Sequence, residues 1–418
     1  MKILFISPGS GDGYFCGNCY RDNLMAQALH RAGHEVTVVP LYLPLEFLGE
    51  LQGKAPVFFP ATTFYVEQKM RKRIPHWIRR MLDSKASLRL AASFSGTTSA
   101  AGMEQMTLSM IEGDDSAFKR HVEELVSWVK DIQPQVIHLS STLLLAVAKP
   151  LKEALGLPIV CSLQDEEVWI DSLAPEYAQR AWQSINNGAE WIDKFVTTSY
   201  YYQQIARKRM PDIEPPTVIY PGVEISRYTS DESPECPTIG FFYRMNELDG
   251  LDILAEAFVL LKKRNTIPHL KLRIGGGYMP TEKKFLARVH KTLHPYAEDV
   301  YIEKDYTWRS HFEFYRHITV LSVPLRFPEG IGLYLCEAFA AGRPAVEPHS
   351  GSFSEIIGRA GLTYEPNSPE DLADALEQLL TNPARLAECA SEAAELSRTR
   401  YNDSLSANQL LTLYEKII

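Results

Sequence analysis

The sequence reads as an α/β protein built from two doubly wound parallel sheets. Three observations point there. Short apolar runs alternate with helices of 3.6-residue periodicity. The alternation lapses in a proline-rich polar stretch, 221–237, and then restarts. The chain's 418 residues also exceed what one hydrophobic core ordinarily serves.

Taken in order, Lys2–Ser7 (KILFIS) is a buried first strand. A glycine-rich loop, 8–17, leads into a helix on which Leu24, Met25, Ala28, Leu29 and Ala32 share a face, and Gly33 stops it. Glu35–Pro40 is the second strand. Phe118, Val122, Leu125, Val126 and Val129 stripe a helix ahead of the strand at Val136, Ile137, His138 and Leu139, and 157–163 follows as another strand. These units make a Rossmann-like domain over 1–222, with an irregular basic insertion at about 43–115. After a linker, 223–237, a second Rossmann-like domain occupies 238–400. Its strands fall at 238–243, 270–274, 300–302 and 318–323, and Gly330 to Ala340 has helix-forming content. The last segment, 401–418, is an amphipathic helix whose Leu410, Leu411, Leu413, Tyr414 and Ile417 suit a return to the first domain.

Bulk properties exclude several classes. Hydrophobic residues at 45 % and charged residues at 23 % are ordinary for a globular enzyme, which argues against disorder. A net charge of −9 argues against a nucleic-acid partner, since phosphate-backbone affinity needs an excess of Lys and Arg. The first apolar run is too short for a signal peptide, and no stretch approaches the roughly 20 apolar residues of a membrane span. The six cysteines are scattered, as expected of reduced thiols in a cytoplasm. Cys16 and Cys19 form one CxxC without a second to complete a zinc site, and they suit the start of a helix better than metal chemistry. Segment 69–89 carries eight Lys and Arg against Asp83, with Ile74, Trp77, Ile78, Met81 and Leu82 interleaved. It fits either a solvated helix capping the domain or a peripheral contact with an inner membrane face or an anionic acceptor.

The chemistry concentrates at 326–351 (RFPEGIGLYLCEAFAAGRPAVEPHSG). In an open parallel sheet, ligands bind beyond the carboxyl ends of the strands. The amides of Gly330, Ile331, Gly332 and Leu333 form the positive end of a helix, a ready place for phosphate. Carboxylates beside a phosphate site call for hydroxyl partners, and Glu329 and Glu337 would supply acceptors for a ribose and for a sugar beyond the phosphates. The pattern describes a nucleotide sugar.

With these residues in place the chain resembles the retaining glycosyltransferases of group 1 (family 4), of GT-B architecture, in which two Rossmann-like domains face each other across a cleft. The family's E-x7-E motif stands as Glu329 to Glu337, followed by Gly342 and Pro344. GHEVTV at 33–38, VIH at 136–138, YPGV at 220–223, the strand ending at Arg244, and LRIGGG at 272–277 repeat the family's ordered series. The resemblance implies that Glu337 binds the ribose, that Glu329 contacts the donor sugar, and that the amides between them cradle the distal phosphate. It implies that Arg244 neutralises the diphosphate, that Gly17 lies near the transferred sugar, and that His349 belongs to a loop near that sugar. No metal ion or cofactor is implied beyond the nucleotide-sugar substrate, and the acceptor is a glycan or a lipid-linked molecule. Three positions depart from the family: Asp249 replaces a lysine, Gln164 replaces a histidine near the sugar, and Cys16 replaces a glycine. Asp165, Glu166 and Glu167 follow Gln164 and would either meet a polyhydroxyl acceptor or cap the next helix.

Other classes predict different behaviour. A non-catalytic descendant would bind a nucleotide or glycan without turnover, and a nucleotide-sugar epimerase would release an epimer without any acceptor. A nicotinamide oxidoreductase would need a third glycine at GxGxxG spacing, which Gly9, Gly11 and Gly13 do not provide.

Overall fold

The structure, a computed structural model, describes residues 1–9, 17–43, 51, 56–59, 102–113, 116–228, 234–278, 280–303, 311–330 and 332–418. The basic segment 69–89, Cys16 and Ile331 lie outside the described residues. The chain divides into two compact units, Met1–Ile219 with Ser406–Ile418, and Tyr220–Leu405.

The first unit holds a parallel sheet of β1 (Lys2–Ser7), β2 (Glu35–Pro40), β3 (Val136–Leu139), β4 (Ile159–Leu163), β5 (Lys194–Thr197) and β6 (Thr217–Val218), in spatial order β2-β1-β3-β4-β5-β6. β3 and β4 are buried along their whole length, as strands covered on both faces must be. One face packs Leu4, Ile6, Ile137 and Leu139 against Phe118, Val122 and Leu125. The other packs Ile3, Phe5 and Val136 against Leu29 and against Leu410, Leu411 and Tyr414 of the terminal helix Asp403–Glu415.

The second unit holds β7 (Thr238–Phe242), β8 (Lys271–Gly275), β9 (Val300–Ile302), β10 (Val320–Leu321), β11 (Ala345–Pro348) and β12 (Gly361–Tyr364), all parallel, in order β12-β11-β10-β7-β8-β9. Strand order reverses between β7 and β10, so the loops leaving these two strands define the crevice where ligands bind.

Two element boundaries differ from the sequence expectation for physical reasons. The apolar run 318–323 suggests a longer strand, but β10 stops at Leu321 and the Val323 amide is taken by the Glu347 carboxyl at 3.0 and 3.2 Å. The helix expected from Gly330 begins only at Leu333, because Gly332 stands at its N-cap with a left-handed φ of 58°.

Candidate functional site

The crevice of the second unit is built from the residues leaving β7, Tyr243 to Gly250, and those leaving β10, Ser322 to Gly330. Glu329 ends the second loop and is only 6 % exposed. The Gly332 amide donates to its carboxyl, and the Tyr243 hydroxyl lies 3.5 Å from Oε2. Burial outweighs both contacts and raises its pKa to about 7. The carboxyl therefore occupies one of the amides that the sequence reading reserved for phosphate.

Glu337 lies in the body of the helix Leu333–Ala340 and is 2 % exposed. Tyr228 donates to Oε1 at 2.8 Å, Tyr315 donates to Oε2 at 2.6 Å, and His311 Nε2 lies 3.0 Å from Oε1. Burial alone would raise its pKa, but His311 and the two phenols together hold it below the usual carboxylate value. The ribose role expected of Glu337 thus meets a carboxylate whose two oxygens already serve protein donors. Tyr228, His311 and Tyr315 were not legible as its partners, because they come from two distant segments with no shared spacing.

Arg244, expected on the diphosphate, forms a forked pair with Glu282 through Nε at 3.0 Å and Nη2 at 2.7 Å. Asp249 is 2 % exposed, and burial pushes its pKa well above the carboxylate range, with Arg244 opposing and Glu329 and Glu282 reinforcing. Asp249, where the family resemblance implies a lysine, therefore shares the electrostatic surroundings of Arg244 and Glu329. Arg326, the nearest alternative cation in sequence, grips Asp252 at 2.8 and 2.9 Å. Glu347 is fully buried, and its pKa too is pushed well above the carboxylate range by burial, with Glu329 adding to the shift. Its signal in the sequence was a carboxylate inside the otherwise apolar strand Ala345–Pro348. His349 is exposed, with Nδ1 at 3.0 Å from Ser354 Oγ. The loop after it supports Glu329 directly: Ser352 donates its amide to the Glu329 carbonyl at 2.8 Å.

The first unit gathers the other expected residues at the carboxyl ends of β3 and β4. Gly17 is exposed and opens the helix Gly17–Arg31, and the next residue, Asn18, donates to the Gln164 carbonyl at 3.1 Å. Gln164 Nε2 donates to Asp22 Oδ1 at 3.1 Å and to the Ser140 carbonyl, while Asp22 is paired with Arg21 at 2.9 Å. The amide is therefore fixed with its nitrogen towards the helix. Asp165 is the residue before the helix Glu166–Ile170, in a left-handed conformation with φ 55°, and makes no side-chain cap. Glu166 is buried and accepts from Ser141 Oγ at 3.1 Å, the Thr142 amide at 3.2 Å, the Gln164 amide at 2.6 Å and Tyr202 at 2.9 Å. That set ties the ends of β3 and β4 together, which is a structural task. Glu167 is half-buried, accepts from the same phenol, and has a pKa raised to about 7, first by burial and then by Glu166 and Asp171 against the Tyr202 bond. His138 is a buried neutral histidine between Tyr414 Oη at 2.6 Å and Ser162 Oγ at 2.8 Å, its pKa driven down to about 3 by burial and Arg21.

Residues 236–382, within the second unit, match the family Glycosyl transferases group 1. Among curated proteins, the D-inositol 3-phosphate glycosyltransferase of Rhodococcus erythropolis is 27 % identical over 214 residues, 48 % of each chain. That of Corynebacterium glutamicum is 26 % identical over 244 residues, 53 % of this chain and 57 % of the relative. The chain thus spans about half the length of the curated relatives it matches. Among solved structures, HepE of Anabaena in complex with UDP is similar over 100 % of both chains, with a TM-score of 0.70 and 17 % identity. Sucrose-phosphate synthase of Thermosynechococcus elongatus is similar over 100 % of this chain and 99 % of its own, with a TM-score of 0.72 and 17 % identity. The fold is that of the GT-B glycosyltransferases. No helix among the described residues is long and apolar enough to cross a membrane.

Proposed function

We propose that the protein is a glycosyltransferase that moves a hexosyl group from a nucleotide-diphosphate sugar to a hydroxyl of a glycan or lipid-linked acceptor, with retention of configuration and without a metal ion. The observation that carries the reading is the buried carboxyl of Glu329 at the head of the helix Leu333–Ala340, beside the β7–β10 strand reversal and within the region that matches the group 1 family. The nucleotide-sugar donor is supported by HepE, which has been solved with UDP and with UDP-glucose.

In this reaction the anomeric carbon gains positive charge while the diphosphate leaves with more negative charge. The protein contributes mainly preorganised dipoles and proton donors around the leaving group. Helix-end amides and Arg244 serve that role, and Glu329 orients a sugar hydroxyl. Glu337 acts through its neighbours: held by Tyr228, Tyr315 and His311, it fixes the helix whose amino end meets the phosphates. Gln164, Gly17 and His349 are donor-side residues in this scheme. Glu167 is the acceptor-side candidate, since Glu166 is consumed in holding β3 to β4.

The test is a panel of UDP-, GDP- and ADP-sugars offered with sugar, polyol and lipid-linked acceptors, with the product anomer read by NMR and EDTA in a parallel arm. Transfer with retention that survives EDTA is the expected result, and Glu329→Gln should lower kcat at least tenfold with a smaller change in KM. One observation favours a second reading: at Asp249 the crevice holds a buried acid that burial keeps towards its neutral form, and so gains no positive charge where the family resemblance implies a lysine. Tight nucleotide binding with neither transfer nor donor hydrolysis would replace the enzyme with a nucleotide-binding or glycan-binding protein.

A further inference from the structure

The crevice of the second unit has lost the lysine that its family resemblance implies, and both nearby arginines are engaged by acids: Arg244 by Glu282 and Arg326 by Asp252. An anionic ligand still needs proton donors. One stands out by being unused. Tyr334, in the first turn of the helix Leu333–Ala340, is 4 % exposed, and its hydroxyl has no hydrogen-bond partner among the described residues. Buried phenols are ordinarily satisfied, because an orphaned hydroxyl forfeits its bonds to water without replacement.

Its surroundings place that hydroxyl at the site. The ring meets Tyr243 edge-on, with centroids 5.0 Å apart, and Tyr243 is the residue whose hydroxyl approaches Glu329. Burial first, and then Glu347, Glu329, Tyr243 and Asp249, keep the Tyr334 phenol protonated well beyond its ordinary range, so it is a donor at any working pH. Helical side chains lean toward the amino end of their helix, which directs a first-turn side chain to the end where phosphate is held. Ser350 Oγ and Ser352 Oγ, in the loop that supports the Glu329 carbonyl, are likewise buried without partners among the described residues. The crevice is thus furnished with unpaired hydroxyls and with acids, where the family resemblance implies a cation.

We propose that the Tyr334 hydroxyl donates to a phosphate oxygen of a nucleoside diphosphate and replaces the missing lysine as the phosphate-recognition group of this chain. The proposal rests on reading the second unit as a nucleotide-sugar domain. It gives that site a distinct character, since a neutral donor supplies direction without long-range charge, and the share of phosphate affinity that the hydroxyl carries should depend only weakly on salt.

The test is Tyr334→Phe in the full chain, which removes the hydroxyl and keeps the ring against Tyr243. Calorimetry with UDP, GDP and ADP identifies the nucleotide that binds the wild type; the variant is then titrated with that diphosphate, its monophosphate and its nucleoside. The expected result is a loss of about tenfold for the diphosphate, little change for the nucleoside, and a Tm equal to or above that of wild type without ligand, because a buried orphan hydroxyl has been removed. Unchanged diphosphate affinity overturns the proposal and leaves the nucleotide reading standing. An equal loss for nucleoside and diphosphate also overturns it, since that is the mark of altered packing. Failure of the wild type to bind any of the three diphosphates removes the nucleotide reading and this proposal with it.

Discussion

Glu329 and Glu337 are both buried, yet their protons are held in opposite senses. For Glu337, burial favours the neutral form, but His311, Tyr315 and Tyr228 supply enough compensation to bring its pKa below 4.5. Its contribution to stability is present above the unfolded pKa of about 4.5 and is lost as pH falls through the lower folded value. Among the described residues Glu329 has the Gly332 amide and a distant phenol against its burial, and its pKa rises from 4.5 to about 7. Its protonated form is the stable one, so its contribution is complete below pH 4.5 and is lost as pH rises through 7. A rise from 4.5 to about 7 corresponds to roughly 3 kcal/mol. Glu329→Gln keeps an acceptor for the Gly332 amide and cannot ionise. Urea unfolding should therefore show the variant more stable than wild type by about 2–3 kcal/mol at pH 8, with the difference falling to about 1 kcal/mol at pH 5 and vanishing by about pH 4. A difference that does not change with pH would mean that Glu329 is solvated. The motif spacing made both acids visible in the sequence, but not this contrast. That contrast comes from Tyr228, His311, Tyr315 and Tyr243, which reach the site through the fold.

The loops that position these acids are held by close backbone contacts. Gly351 has a left-handed φ of 56°, and a Cβ there would lie 2.5 Å from both the amide and the carbonyl oxygen of Glu329. Gly250, with φ 75°, would put a Cβ 1.8 Å from the Pro324 carbonyl oxygen. The loop after β11 and the loop after β7 are thus pressed against the loop after β10, and only glycine permits either approach. Gly351→Ala should displace Glu329 by several tenths of an ångström or more. The variant is expected to lose at least tenfold in donor turnover, with a stability cost of about 1–3 kcal/mol. Gly17→Ala, where a Cβ would meet nothing within 4 Å among the described residues, is the control for the stability measurement alone and should fold as wild type. Turnover in Gly351→Ala equal to wild type would show that the loop yields without moving the acid. The sequence displayed these glycines but gave no sign of what they touch. Likewise the apolar run at 318–323 could not reveal that a glutamate side chain from β11 takes the amide at which β10 ends.

The two sheets were legible because central parallel strands, buried on both faces, are largely apolar, so 2–7 and 238–242 announce themselves without knowledge of their neighbours, while the edge strand 35–40, buried only from Val38 to Pro40, shows itself by its run of valines. The amphipathic terminal segment was legible for the same reason, and its place has a consequence for how the molecule unfolds. Residues Ser406–Ile418 belong to the first unit although Tyr220–Leu405 intervene in the chain. Ala407, Leu410, Leu411, Leu413 and Tyr414 complete the face on which Ile3, Phe5 and Val136 lie. The Tyr414 hydroxyl also satisfies His138, whose ring stacks on Phe5 at 4.6 Å. Each buried leucine is worth about 2 kcal/mol, so removing 406–418 costs the first unit several kcal/mol, of the order of a domain's whole stability. Deletion of 406–418 should abolish the thermal transition of the first unit and the amide-exchange protection of β1 and β3. Diphosphate binding by the second unit should persist within about threefold, because no residue of its crevice is lost. Tyr414→Phe separates the two contributions: it keeps the ring in the apolar face and removes only the bond to His138, with an expected cost of about 1–2 kcal/mol. If the deletion variant retained protected β1 and β3 amides, the terminal helix would be a surface appendage and the core of the first unit would close without it.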